Sequence, residues 1–252
     1  QFFNAILVGY FGWQNYLRWR MAAQWIDRVQ PIRPQSPAPS ASRKRGEAID
    51  VRPIDGDLAR AWEALEKGNP LTVRMIAEPL VPRAQTDDER FQVAHLVAWG
   101  RLLSGDTRAA EVALERLMPA GRRPDALLDG SLLLERQKFG PAADALTEAL
   151  VGRSDDFVAV RLSRAVAESG RVAGLLAHLA NPARADDIGA RPFQVVVAEL
   201  MRQKRWAEAT ALGEALFRHF GAASDAFNVA CSLGRSGRGE EALRWLDEAL
   251  QK

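Results

Sequence analysis

Residues Gly237 to Leu250 read G-R-G-E-E-A-L-R-W-L-D-E-A-L and follow a helix-period run from Phe227 to Gly234. A turn at Ser236 and Gly237 between two short apolar-periodic segments predicts a helical hairpin. Ala230, Ala242 and Ala249 place small side chains where the two backbones must approach. The same grammar recurs upstream, at Gln203-Lys204-Arg205-Trp206-Ala207-Glu208-Ala209, at Gln137-Lys138-Phe139-Gly140-Pro141-Ala142 and at Gly105-Asp106-Thr107-Arg108-Ala109-Ala110. Ala242, Ala209, Ala142 and Ala110 are separated by 33, 67 and 32 residues, so the unit repeats at one fixed period. A helix pair of that size cannot bury its apolar face alone and must stack on copies of itself.

Outward from these repeats, the chain is helical from Asp57 onward. Asp57 is the expected N-cap of L-A-R-A-W-E-A-L-E-K-G, where Leu58, Ala61, Trp62 and Leu65 share a face and Gly68 stops the helix. Asn69-Pro70 starts a return helix to about Leu80. Further pairs are expected over 88–118, 124–150, 155–180, 191–220 and 223–251, the first and fourth of the six being degenerate. Asp155 or Asp156 caps the fourth, whose second helix ends near Asn181-Pro182. The one β-branched cluster, Val195-Val196-Val197, sits in helix-period context with Leu200 and Met201, so no strand is expected.

The other end of the chain differs in kind. Residues 2–13, F-F-N-A-I-L-V-G-Y-F-G-W, carry no charge, and eight of the 19 aromatic residues fall within the first 28 positions. Twelve apolar residues are too few for a bilayer, which takes about 20. They fit the end of a span, with Tyr10, Trp13, Tyr16 and Trp19 at the headgroup level and Arg18, Arg20 and Arg28 on the cytoplasmic side. An interfacial amphipathic helix, or a helix capping the repeats, are the alternatives. The chain begins at Gln1 rather than Met, which suggests processing or truncation. Residues 30–54, rich in Pro, Ser and Arg, read as a flexible linker. Three divisions follow: an apolar, aromatic helix over 1–29, a linker over 30–54 and a repeat domain over 55–252.

Charge and composition exclude several activities. The net charge of +2 hides an asymmetry, since residues 1–56 hold eight Arg/Lys against four Asp/Glu and the remainder 26 against 28. A nearly neutral repeat region argues against a nucleic-acid partner. The single cysteine, Cys231, excludes an internal disulfide and a multi-cysteine metal site. His95, His178 and His219 fall in different hairpins and in no paired ligand spacing. Phosphate-loop and nucleophile-elbow motifs are missing, and Gly234 to Gly239 is explained as a hairpin turn. The carboxylates Asp87, Asp88, Glu89, Glu240 and Glu241 begin helices, where the helix dipole favours them. The expectation is therefore a non-enzyme with no cofactor, no metal and no small-molecule substrate.

At this point the residues resemble the tetratricopeptide repeat family, whose pattern has a small residue at position 8, Gly at 15, an aromatic at 17, Ala at 20, a large apolar residue at 24 and Ala at 27. The last repeat supplies Ala230, Gly237, Gly239, Ala242, Leu246 and Ala249, lacking the aromatic. The third supplies Gly130, Gln137, Phe139, Ala142, Leu146 and Ala149, and the fifth Val197, Lys204, Trp206, Ala209, Gly213 and Leu216. The resemblance implies an all-α solenoid of about six such hairpins. It further implies a concave groove lined by first-helix positions, here His95, Trp99, Leu127, Ser131, Leu134, Arg164, Gln194, Met201, Phe227 and Cys231. That mixture suits an extended peptide or a partner helix. It lacks the family's clamp for C-terminal carboxylates, for which Asn228 stands alone.

A terminal helix containing G-Y-F-G-W-Q-N-Y-L, then a Pro-rich linker, then repeats, also resembles the C-terminal end of bacterial site-2-type intramembrane zinc proteases. Their metal-binding motifs are missing here, so that resemblance implies a regulatory or substrate-screening tail and carries no catalytic residue over. The leading expectation is a membrane-associated protein interaction module with its repeats in the cytoplasm. Alternatives are such a protease tail, or a soluble assembly scaffold whose N-terminal helix serves oligomerisation.

Overall fold

The computed structural model describes residues 54–151 and 155–251, all within one compact unit. The expected N-terminal helix, the membrane-interface residues Tyr10, Trp13, Tyr16, Arg18, Trp19 and Arg20, and the linker up to residue 53 lie outside the described residues; the last residue assigned to the linker, Ile54, is buried and belongs to the repeat domain. Among the described residues the structure is all-α, with thirteen α-helices and no strand. In chain order they are α1 (Asp55–Glu66), α2 (Pro70–Ala77), α3 (Asp87–Leu103), α4 (Thr107–Leu117), α5 (Ala126–Glu135), α6 (Phe139–Ala149), α7 (Asp156–Ser169), α8 (Ala173–Leu179), α9 (Pro182–Ile188), α10 (Ala190–Arg202), α11 (Trp206–Phe220), α12 (Ala223–Arg235) and α13 (Gly239–Leu250). A 3₁₀ turn, Glu78–Leu80, extends α2. None of these helices is long and apolar enough to cross a membrane.

Local side chains set the helix starts. Thr86 and Glu89 form a reciprocal capping box at α3, the Thr86 hydroxyl accepting from the Glu89 N–H at 3.2 Å and the Glu89 carboxylate from the Thr86 N–H at 2.9 Å. These backbone donors hold the Glu89 carboxyl below its usual range. Asp106, Asp125 and Asp155 cap α4, α5 and α7 by accepting from the N–H three residues on. Asn69-Pro70 and Asn181-Pro182 start α2 and α9, each pairing an Asn cap with a proline at the first helical position, where its missing N–H costs nothing.

Two expectations are corrected. Asp57 is not an N-cap, because α1 begins two residues earlier behind Ile54, whose side chain is buried in the first core cluster. Asp57 instead pairs with Arg60 at 3.4 Å and Arg83 at 3.1 Å. The chain after Asn181-Pro182 is a helix, α9, since Ala185 and Ile188 bury there.

The helices form six successive pairs, the fourth supplemented by α9. Short connections make the members of a pair neighbours, and α1·α2, α3·α4, α5·α6, α10·α11 and α12·α13 pack together while α7 packs mainly on α6 and α10. Each pair turns through one residue in the left-handed region: Gly68, Gly105, Gln137, Gly170, Lys204 and Gly237, 32 to 37 residues apart. Seven residues before each of these turns lie Ala61, Ala98, Gly130, Ser163, Val197 and Ala230, all buried. Five residues after them lie Val73, Ala110, Ala142, Leu175, Ala209 and Ala242, all at most 2% exposed. The six units thus share one register of turn and buried positions, although the two helices of the fourth do not pack mainly on each other.

Gln137 and Lys204 adopt φ of 59° and 62°, where a Cβ crowds the following carbonyl at about 1–2 kcal/mol. Replacing either by glycine is expected to raise stability by about 0.5–1 kcal/mol, the gain being trimmed by glycine's greater freedom when unfolded. Chemical denaturation measures it, and a loss of stability in both variants would refute the turn geometry.

Gly130 sets the closest approach within the third pair. A Cβ there would meet Leu146 Cγ at 2.7 Å and the Leu146 backbone nitrogen at 3.1 Å. Helix propensity favours Gly130→Ala by about 1 kcal/mol, while forcing a well-packed contact apart costs about 1–3 kcal/mol. The backbone atom cannot rotate away, so the clash prevails, and the net loss that these terms leave, expected in thermal melts, is at most about 2 kcal/mol. A stabilised variant would show that α5 and α6 can separate freely.

Three buried apolar clusters result. The largest runs from the second pair to the fifth, a second joins the first two pairs, and a small third belongs to the last pair, with Val229, Leu233 and Ala242 beside Trp245.

Candidate functional site

Of the ten expected groove residues, six are buried: His95, Trp99, Leu127, Ser131, Leu134 and Cys231. Side chains so enclosed shape the packing. Gln194, Met201 and Phe227 are half-buried, and Arg164 is exposed. Ser131 satisfies itself, its hydroxyl donating to the Leu127 carbonyl at 2.7 Å. Arg164 approaches Glu135 of the preceding pair at 4.0 Å. Burial pushes the Cys231 thiol up to about 11, opposed by nearby Arg235, so at neutral pH it is a protonated, unreactive thiol.

His95 joins the second and third pairs. The Asp125 N–H donates to its Nε2 at 3.0 Å, and its Nδ1 lies 3.2 Å from the Phe91 carbonyl oxygen. Both contacts are met only by the neutral ring that carries its proton on Nδ1. Burial holds the imidazole below its ordinary range, against the Asp125 carboxylate at 3.6 Å, which favours the cation. Phe91 lies beside the ring at 4.3 Å between centroids, and Arg122 stands over Phe91 while pairing with Asp88 at 2.6 Å.

A second junction has the same register. Gln194 Nε2 donates to Asp225 Oδ1 at 3.0 Å, joining the fifth and sixth pairs. His95 and Gln194 both stand ten residues before their own turn residues, and Asp125 and Asp225 both stand twelve before theirs. The sequence reading missed Asp225 and Asp125.

An aromatic and cationic cluster spans more distant units. Trp99 of α3 meets Phe157 of α7 edge-on at 5.5 Å, and the Arg161 guanidinium lies 3.6 Å from the Phe157 ring centre and 6.0 Å from that of Trp99. Phe157 and Arg161 were not expected. Only the fold shows that the second and fourth pairs meet.

On α8 and α11 lies a pocket of about 450 Å³, floored by Leu176, Leu179, Ala211 and Ala215 and edged by Glu214, Arg218 and His219. Glu214 and Arg218 pair at 3.7 Å, and His219 Nε2 lies 2.9 Å from Asp186 of α9. Among the described residues no cluster of His, Cys, Asp and Glu could hold a metal ion.

Comparison with known proteins supplies no relative: no family model, no curated protein and no solved structure matches the chain.

Proposed function

We propose that residues 55–252 form a tetratricopeptide-like α-solenoid that binds a protein partner, an extended peptide or a helix, along its first-helix face, and that residues 1–29 hold it at a membrane. The observation that carries this reading is the recurrence of one left-handed turn residue with buried residues, mostly small, at fixed offsets in all six units. Units built alike and packed on their neighbours stack in one dimension and expose one continuous face. On that face Arg164, Gln194, Met201 and Phe227 are the accessible members of the expected set, a mixture of cation, amide and soft apolar surface that suits a peptide with alternating anchors.

Photo-crosslinking from positions 164 and 201 of the full chain, against positions 108 and 148 on second helices, tests the binding face. A partner captured only from the first two supports it, and equal capture from all four sinks it. Liposome flotation tests the tether: the full chain should float and a chain lacking residues 1–29 should not.

A further inference from the structure

We propose that the last helix pair, α12 and α13, is a detachable unit whose attachment to the rest of the protein is controlled by protonation of Asp225. Val229, Leu233 and Ala242 form a small buried cluster at the end of the stack, beside Trp245, while α12 packs along α11. Across the seam, Val229 rests over Gly213, and Trp245 meets Phe217 edge-on at 5.4 Å. The side-chain hydrogen bond at the seam runs from Gln194 to Asp225 Oδ1. Asp225 is 1% exposed, and its other oxygen, Oδ2, is buried without a hydrogen-bond partner.

A carboxylate so placed leaves a buried charge with one of its two oxygens unmet, and such a charge is expensive. Protonation removes the charge and leaves Oδ1 free to accept from Gln194. The cations of the neighbouring helices for which a partner is seen pair away from Asp225: Arg191 and Arg202 of α10 with Asp156 and Glu199, Arg218 and His219 of α11 with Glu214 and Asp186, and Arg238 of α13 with Glu241. On α12 itself, Arg235 lies toward Cys231. Burial accordingly raises the Asp225 carboxyl above its ordinary range, against the Gln194 hydrogen bond, which lowers it.

The sign follows from linkage. When the pair detaches, Asp225 regains the affinity of a free aspartate, near pH 4, so attachment is strongest below that value. It weakens as pH rises toward the higher midpoint of the attached state. Within that window the detached fraction grows by up to about tenfold per pH unit.

Hydrogen exchange of the full chain, corrected for the intrinsic pH dependence of exchange, reads this directly. Protection of α12 and α13 should fall with rising pH while that of α7 and α10 does not. Asp225→Asn, which still accepts from Gln194, should abolish the pH dependence. An equal pH response in this variant and the parent would overturn the proposal. Should the variant not fold, a carbon-13 titration of the Asp225 carboxyl in the parent decides: a midpoint above about 4 supports the device, and one at or below it refutes it. Gln194→Met should raise that midpoint further.

Discussion

Phe193→Ala is expected to lower stability by about 3–5 kcal/mol, the range for emptying a buried aromatic site. Phe193 is the largest fully buried side chain, on α10, which packs on α7 and on its own partner α11. Its ring therefore lies in the main cluster where the fourth and fifth units join. Phe193→Leu, which keeps much of the volume, should cost about 1–2 kcal/mol. Urea unfolding followed by circular dichroism separates the two, and a midpoint for the alanine variant no lower than for Lys138→Ala would contradict the assigned core.

His95→Ala is the second large effect, about 2–4 kcal/mol, combining a cavity with the loss of the acceptor for the Asp125 N–H. It also carries a pH signature. Burial lowers the folded-state affinity of His95 for a proton below that of the unfolded chain, near pH 6.5. The contribution of His95 is therefore present above about pH 6.5 and lost as pH falls below it. The parent should lose stability between pH 7.5 and 5.5, and His95→Gln should flatten that slope. Identical slopes would show that His95 does not titrate across folding. Asp225 has the opposite sense, so acid loosens the junction of the second and third units while rising pH loosens that of the fifth and sixth.

The two polar junctions show how far sequence reading reaches. His95 was singled out as a groove position, because family register places it on the first-helix face; the fold turns it inward as a neutral link to Asp125. Gln194 was found the same way and remains half-buried, yet its partner Asp225 stands 31 residues on and gives no local signal. Trp99, whose register allows either a groove anchor or core between hairpins, is buried against Phe157 and Arg161. In each case the residue's face was legible, and the neighbour that occupies that face was not.

Periodicity and turn chemistry alone determined that this chain is helical from its fifties onward, that it repeats in pairs, and where those pairs turn. These are local properties: a 3.6-residue period, an Asn-Pro start and a small residue at a close approach act within a few residues of themselves. Tertiary structure decided what depends on distances between units: that α9 exists, that α7 packs on α10 past the short α8, that six of ten candidate groove side chains are enclosed, and that Asp225 is buried with one oxygen unmet. Burial is a property of every neighbour at once, so the charge state of His95 or Asp225 follows only when the stack is assembled.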